Sequence, residues 1–329
     1  MSILEKVISA TPLWVKRTYL PQRILSYIRE RKMSKQYYSQ DTMPTDYDCM
    51  LFCVDGRYKH GGLCDRMWGL VSTYNLAVKA GKPFRVKWTM PFNITTFLQP
   101  NKYDWRIPAE SVSESSNEVQ VFCISNSNDL VVQERQLDRV LRSTAKQIHV
   151  YTPAHAEREH FSANFHTLFK PTPILMEAID REKKAVGGKY VSISFRFQDA
   201  LGDFKDDDSP YIPLEQREKL LKESLNVVEK VKKLNPDIEK VLVTADSKTM
   251  IDFVKKLPFV YVIPGEIAHM GFTGTDSEIS AHLKTFLDFF MISEAEKVYF
   301  ARHPILYRST FAGTAAAIGN RPYEEIKFC

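Results

Sequence analysis

What this 329-residue sequence lacks narrows its function before any motif is considered. It has no internal repeat, the signature that solenoids, propellers and arrays require. Its 13 Gly and 17 Pro are ordinary numbers, which excludes collagen-like and low-complexity chains. No run of about 18 apolar residues occurs, so no segment is expected to span a membrane. Glu5, Lys6, Lys16 and Arg17 interrupt the N-terminal region, where a secretory signal would keep an unbroken apolar stretch. Five cysteines, Cys49, Cys53, Cys64, Cys123 and Cys329, form an odd, scattered set. No second pair and no His cluster completes a zinc site, and the set points to a reducing compartment. The expected location is cytoplasmic. No G-x-G-x-x-G follows any expected strand, which disfavours a nicotinamide-dependent oxidoreductase, and no Gly-Lys-Ser/Thr of a P-loop is present.

What is there suits a globular α/β protein. With 44% hydrophobic and 26% charged residues the chain can bury one large core or two ordinary ones. The formal charge of +5 is unevenly placed: residues 1–35 hold eight basic residues against Glu5 and Glu30, leaving the remainder close to neutral. A nucleic-acid-binding body would line a groove with its basic residues, so no nucleic acid partner is expected. Residues 1–45 are expected to form a basic, amphipathic helical extension broken by Pro12 and Pro21. Ile24, Leu25 and Ile28 share one face, while Arg29, Arg31 and Lys32 form a basic end. Two readings stay open: residues 1–35 lie on an anionic membrane surface, or they pack on the domain that follows.

From residue 46 the pattern alternates strand and helix. Cys49 to Val54 is an apolar run fit for a buried strand, with Asp55-Gly56 as a turn. Gly61-Gly62-Leu63-Cys64-Asp65 opens a helix carried by Met67, Leu70, Val71, Tyr74 and Val78, with Asp65 as its expected cap and Gly81 as its stop. Strands are expected at Phe84–Trp88, Val119–Ile124, Tyr190–Phe197, Lys240–Thr244, Phe259–Ile263 and Lys297–Phe300. Helices are expected at Ile174–Lys184, Glu215–Leu234, Ser247–Lys256, Glu278–Ser293 and Ser309–Ile318, the third capped by Asp246. This alternation predicts two Rossmann-like, doubly wound α/β domains, residues 46–170 and 171–329. Ligands of such sheets lie beyond the strand C-termini, so the loops there should carry function.

Four segments fall at those positions. Gly61, Gly62 and Asp65 open a helix whose N-terminus favours an anion, though a tight turn explains the glycines equally. Arg196 ends the strand of Ser192-Ile193-Ser194-Phe195, where a guanidinium must be paired or bound to an anion. An ion pair with Asp199 and a diphosphate are both open. Asp246 stands where a strand meets its helix, as a cap or as a contact to a ribose or base. Ser309, Thr310 and Phe311 start the last helix, where hydroxyls and free N–H groups suit a phosphate and where Ser309 also suits a cap.

In this order the segments resemble fucosyltransferases that use GDP-fucose: core α1,6-, nodulation and, more remotely, protein O-fucosyltransferases. Ser194-Phe195-Arg196-Phe197-Gln198-Asp199-Ala200-Leu201-Gly202 aligns with their H-x-R-R-x-D-x-x-G element. Gly61-Gly62-Leu63-Cys64-Asp65-Arg66 resembles their early G-G-x-G-[DN] loop. Leu287-Asp288-Phe289-Phe290-Met291-Ile292-Ser293 resembles their L-D-[IL]-x-L-L-S helix, and Ser309-Thr310-Phe311 their closing S-[ST]-F. Ser194, Phe197 and Cys64 depart from the pattern, standing where a His, a second Arg and a Gly are usual.

The resemblance implies a GT-B-like pair of domains facing a cleft, with the acceptor on residues 46–170 and the nucleotide-sugar donor on residues 171–329. It implies an inverting transfer from GDP-fucose to a glycan or lipid-linked saccharide, with no cofactor and no metal. Arg196 would hold the β-phosphate, Ser309, Thr310 and Phe311 the diphosphate, and Asp246 the nucleoside. Asp199 matches the acidic member of the arginine element, and Asp288 an acidic helix position. The proton of the acceptor hydroxyl needs a base, and Asp203 and His269 are the candidates. Asp206-Asp207-Asp208 would suit a divalent cation, but Lys205, Ser209 and Pro210 beside it also suit a solvated loop. A catalytically silent nucleotide-sugar-binding protein is the alternative that Ser194 and Phe197 permit.

Overall fold

A computed structural model describes residues 12, 15, 19–37, 45–124, 130–153, 158–203, 212–267 and 279–329. These residues divide into two compact units. One takes in the chain up to Thr96 together with Pro100–Lys170; the other takes in Phe97–Gln99 and the described residues from Pro171 on.

The first unit is built on a four-stranded parallel sheet. Its strands are β1 (Cys49–Val54), β2 (Phe84–Trp88), β3 (Val119–Cys123) and β4 (Gln147–Tyr151), in the order β2-β1-β4-β3. Every residue of β1 is buried, which explains its unbroken apolar run: a central parallel strand has both faces covered. Helix α2 (Leu63–Ala80) follows β1 and ends at Gly81, in the left-handed conformation. Its cap is Gly62 rather than Asp65. Asp65 sits three residues into the helix, and its carboxylate accepts the Gly62 N–H at 3.3 Å, the return half of a capping box.

The expectation that Pro21 breaks a helix is corrected. Helix α1 (Tyr19–Tyr37) runs uninterrupted, because Pro21 lies in the first turn, where a missing N–H costs no intrahelical bond. Ser26 and Met33 are buried, and Glu30 accepts the Cys123 N–H at 3.2 Å and pairs with Arg139 at 2.9 Å. The helix therefore packs on β3, as the second reading has it, over Tyr19–Tyr37, while Arg29, Arg31, Lys32 and Lys35 stay exposed.

The second unit carries a five-stranded parallel sheet. Its strands are β5 (Tyr190–Phe195), β6 (Lys240–Ala245), β7 (Val260–Tyr261), β8 (Val298–Arg302) and β9 (Tyr323–Lys327), ordered β9-β8-β5-β6-β7. Its helices are α5 (Pro173–Val186), α6 (Leu214–Leu234), α7 (Lys248–Val254), α8 (Ile279–Glu294) and α9 (Phe311–Gly319); α3 (Leu130–Leu141) and α4 (Phe161–Leu168) belong to the first unit. From β5 the chain moves outward through β6 and β7, then returns to place β8 on the other side of β5. The boundary between β5 and β8 is thus a topological switch point, where loops diverge and leave a crevice beyond the strand ends. In the first sheet the equivalent boundary lies between β1 and β4. One face of the second sheet is closed by Val191, Ile193, Phe195, Val241, Val243, Tyr299 and Ala301, packed with Val228 and Val231 of α6.

Among the described residues no helix is long and apolar enough to cross a membrane. Strands β4 and β9 were not expected. The strand expected over Phe259–Ile263 shrinks to Val260–Tyr261, and the one expected to stop at Phe300 runs on to Arg302.

Candidate functional site

The loop after β5 and the loop after β6 are tied by one carboxylate. The register sets Ser194 against Thr244 and Phe195 against Ala245, so Arg196 and Asp246 come abreast just past the strand ends. Arg196 Nη1 lies 3.0 Å from Asp246 Oδ2, and the guanidinium side chain remains 30% exposed. Asp246 is buried. It also accepts the backbone N–H of Phe197 at 2.7 Å and of Gln198 at 2.9 Å. Three donors on one carboxylate hold the turn, including Gln198 at a φ of 52°, a left-handed value uncommon outside glycine. Such strain persists where surrounding contacts over-determine it, as at ligand sites. One layer deeper, Ser194 Oγ and Thr244 Oγ1 share a hydrogen bond of 2.7 Å.

Two expectations are corrected here. Asp246 does not cap α7; Ser247 does, accepting the Met250 N–H at 3.1 Å. The ion pair of Arg196 is made with Asp246, not with Asp199. Asp199 is half-buried, and its backbone carbonyl closes a turn with the Gly202 N–H.

Asp203 is brought to the start of α7. Its carboxylate accepts from Ser247 Oγ, from Thr249 Oγ1 at 2.7 Å and from the Thr249 N–H at 3.2 Å. His269 and Asp206-Asp207-Asp208 lie outside the described residues. Asp288 is half-buried within α8, both oxygens taken by the buried Lys284 at 2.9 and 2.7 Å. Burial raises its pKa, and the ammonium of Lys284 partly offsets that. This is an internal helix pair, and α8 packs on α5.

Across the switch point, β8 leads through Arg302, His303 and Arg308 to α9. Ser309 Oγ accepts the Phe311 N–H at 3.2 Å, and Thr310, exposed, is the cap residue without a side-chain cap bond. Phe311 stacks edge-on against Phe289, ring centres 5.5 Å apart. Arg302 and Arg308 both reach Glu325 of β9, at 2.9 and 2.8 Å. Burial pushes the Glu325 carboxyl up, and the two guanidinium groups outweigh this and hold it below its ordinary value. The sequence carried a signal for Arg302. It closes a buried strand as Arg196 follows one, but the apolar pattern ends at Phe300, two residues before the strand does.

The two departures at the arginine element are built into the fold. Phe197 is 2% exposed and lies parallel to Phe195, with 8° between the ring planes, so this position faces the core. Ser194 is spent on Thr244.

In the first unit, Gly61 and Gly62 follow β1 at its switch point with β4. His60, beside them, is buried with its Nδ1 3.0 Å from the Tyr58 carbonyl. Burial and the nearby Arg66 push its pKa down to about 3, so it is neutral. A cavity of about 440 Å³ in this unit is lined by Lys87, Trp88, Thr89, Asn93, Thr95 and Glu114, among others. Among the described residues no cluster of three His, Cys, Asp or Glu side chains is arranged to hold a metal ion.

No protein-family model matches the chain, and no curated protein matches it in sequence. Solved structures do. NodZ alpha-1,6-fucosyltransferase from Bradyrhizobium, soaked with GDP-fucose, superposes with a TM-score of 0.57 at 16% identity, over 83% of this chain and 93% of that one. A mutant of Arabidopsis thaliana FUT1 in complex with GDP gives a TM-score of 0.54 at 11% identity, over 90% of this chain and 73% of that one. The fold is therefore fucosyltransferase-like, an α/β architecture of the GT-B kind with parallel sheets.

Proposed function

We propose that this protein is an inverting glycosyltransferase that moves a sugar from a GDP-sugar, fucose first among the candidates, to a hydroxyl of a glycan or lipid-linked saccharide. The observation that carries this reading is the Arg196–Asp246 pair past the ends of β5 and β6, on the strand that borders the switch point of the second sheet. The loop from the neighbouring strand there ends in the Ser309-Thr310 helix start. The Bradyrhizobium enzyme of like fold was solved with GDP-fucose, which supports the choice of donor.

In the proposed reaction an acceptor oxygen forms a bond to the anomeric carbon while the bond from that carbon to the β-phosphate oxygen breaks. GDP leaves with the electron pair. Its growing charge is met by Arg196 and by the N–H groups at the start of α9, fixed dipoles that need no reorganisation. No metal ion is required in this scheme. The hydroxyl proton goes to a carboxylate of the 199–203 loop. Asp203 has its oxygens engaged at the start of α7, so Asp199 is the base to test first. The cavity beside Trp88, Asn93 and Thr95 in the first unit offers aromatic and hydrogen-bonding surface for an acceptor saccharide. The exposed basic face of α1 suits an acceptor presented at an anionic membrane surface.

Thermal shift with a panel of nucleotides tests the donor. GDP and GDP-fucose should raise the melting temperature and UDP-sugars should not, because only a ligand of the folded state stabilises it. Arg196→Ala should abolish the shift, and EDTA should leave it unchanged. Stabilisation by UDP-sugars but not by GDP would refute the assignment, and binding of GDP-fucose without turnover on any acceptor would leave a silent binding protein.

A further inference from the structure

Arg196, Arg302 and Arg308 bring guanidinium groups to the C-terminal edge of the second sheet. Strand β8 runs beside β5 with Val298 against Ser192, Tyr299 against Ile193 and Phe300 against Ser194. Two residues beyond the last of these pairs stand Arg302, closing β8, and Arg196, just past the end of β5. The two share a face. Ile193, Phe195 and Phe197 lie in one core cluster with Tyr299 and Ala301, and side chains alternate along a strand, so Arg196 and Arg302 project to the opposite side.

Arg196 is 30% exposed and shares the buried Asp246 with two backbone N–H groups, so it brings one cation to this edge. A diphosphate leaving group gains negative charge as its glycosyl bond breaks and needs further cations close by. Arg302 and Arg308 converge on a single carboxylate. Glu325 Oε2 lies 2.9 Å from Arg302, and Glu325 Oε1 lies 3.1 and 2.8 Å from Nε and Nη2 of Arg308. Arg308 grips one Glu325 oxygen through two N–H groups, and a guanidinium makes such charge-assisted bonds equally well to phosphate oxygens. Arg308 is 65% exposed and directly precedes Ser309 and Thr310.

We propose that Arg302 and Arg308 form the second phosphate clamp of the donor site, held ready by Glu325 until the diphosphate takes its place. This rests on the donor reading above. Glu325 acts as a latch: it competes with the donor for both arginines and sets a threshold for binding.

Calorimetric titration of the full chain with GDP and with guanosine tests the clamp. Arg302→Gln and Arg308→Ala should each weaken GDP by about tenfold or more, the loss expected for a charge-assisted bond, and leave guanosine unchanged. Glu325→Gln should tighten GDP by about threefold or more, since it frees both guanidinium groups. A purely structural cluster gives the opposite sign, weaker binding when Glu325 is neutralised. The exposed Arg308 keeps the test open if Arg302→Gln fails to fold. If the wild-type chain does not bind GDP, the donor reading falls and the clamp with it. If it binds GDP and Arg196→Ala abolishes this, but Arg308→Ala changes nothing or Glu325→Gln weakens binding, the clamp is overturned and the donor reading stands.

Discussion

Asp246 holds the guanidinium of Arg196 at 3.0 Å and, with the same two oxygens, takes the N–H groups of Phe197 and Gln198. The end of β6 thereby dictates the turn that follows β5. Asp246→Asn keeps the shape but removes the charge and one acceptor. It should cost about 1–3 kcal/mol in urea unfolding, the range for a buried acceptor lost to its donors. The Arg196 share of that is small, because the guanidinium is partly exposed and screened. The same variant should lose GDP binding, since the freed turn no longer aims Arg196. Unchanged stability would mean that the turn is held elsewhere.

Phe197 invites the opposite experiment. Restoring an arginine there would place a charge in a core position that is 2% exposed and stacked on Phe195. Phe197→Arg should destabilise the second unit by about 3 kcal/mol or more, as for an unpaired buried charge, and should give no gain in GDP affinity. A stable, tighter-binding Phe197→Arg would show that this position turns toward the ligand.

The strands legible in the sequence are those with a clear apolar pattern, unbroken in Cys49–Val54 and alternating in Phe84–Trp88. Cys49–Val54 and Tyr190–Phe195 are buried at every residue, and a run of that length between turn signals has few other uses. Strand β4 was not legible because Gln147 and His149 interrupt it. Both are buried, and Gln147 is satisfied by Tyr47, Ser111 and Ser113 from outside the strand, which no local pattern announces. Strand β9 is an edge strand, and Glu324, Glu325 and Lys327 give it the composition of a loop.

At the candidate site, residue types were legible and partners were not. Asp246 and Ser247 are adjacent and both are good caps, so the sequence cannot say which one caps α7. The choice is made by the N–H groups of Phe197 and Gln198, nearly fifty residues earlier in the chain, which claim Asp246 first. Asp203 was singled out as a base for its nearness in sequence to Arg196, and only the structure shows it engaged by Ser247 and Thr249.

Two neutral histidines in the first unit predict acid sensitivity. Burial, with Arg66 nearby, lowers His60 to about 3; burial, with Lys87 and Arg57, lowers His149 to about 3 as well. In the unfolded chain both bind protons near pH 6.5, so the unfolded state holds more protons below that value. Their contribution is fully present above pH 6.5 and is lost as pH falls toward 3, by up to about 1.4 kcal/mol per pH unit for each histidine. Urea midpoints measured from pH 7.5 down to pH 4.5 should fall accordingly, and His149→Gln should flatten the slope by about half. An identical slope in that variant would assign the acid loss to carboxylates instead.

Gly61 and Gly62 are adjacent but not equivalent, and the difference separates turn from ligand site. Gly61 has a φ of 82°, and a Cβ there would lie 2.3 Å from Asp65 Oδ2, so the turn alone requires glycine. Gly62 has an extended backbone at φ −77°, and a Cβ built on it meets nothing within 4 Å. Nothing in the fold therefore demands glycine at 62. Gly61→Ala should cost about 1–3 kcal/mol through backbone strain, whereas Gly62→Ala should change stability by only a few tenths of a kcal/mol. If this helix start receives a ligand closely, Gly62→Ala should lower transfer from GDP-fucose about tenfold while the urea midpoint stays put, because a methyl group then occupies the path of approach. Full activity in Gly62→Ala would reduce the Gly61-Gly62 loop to the tight turn that Gly61 already explains.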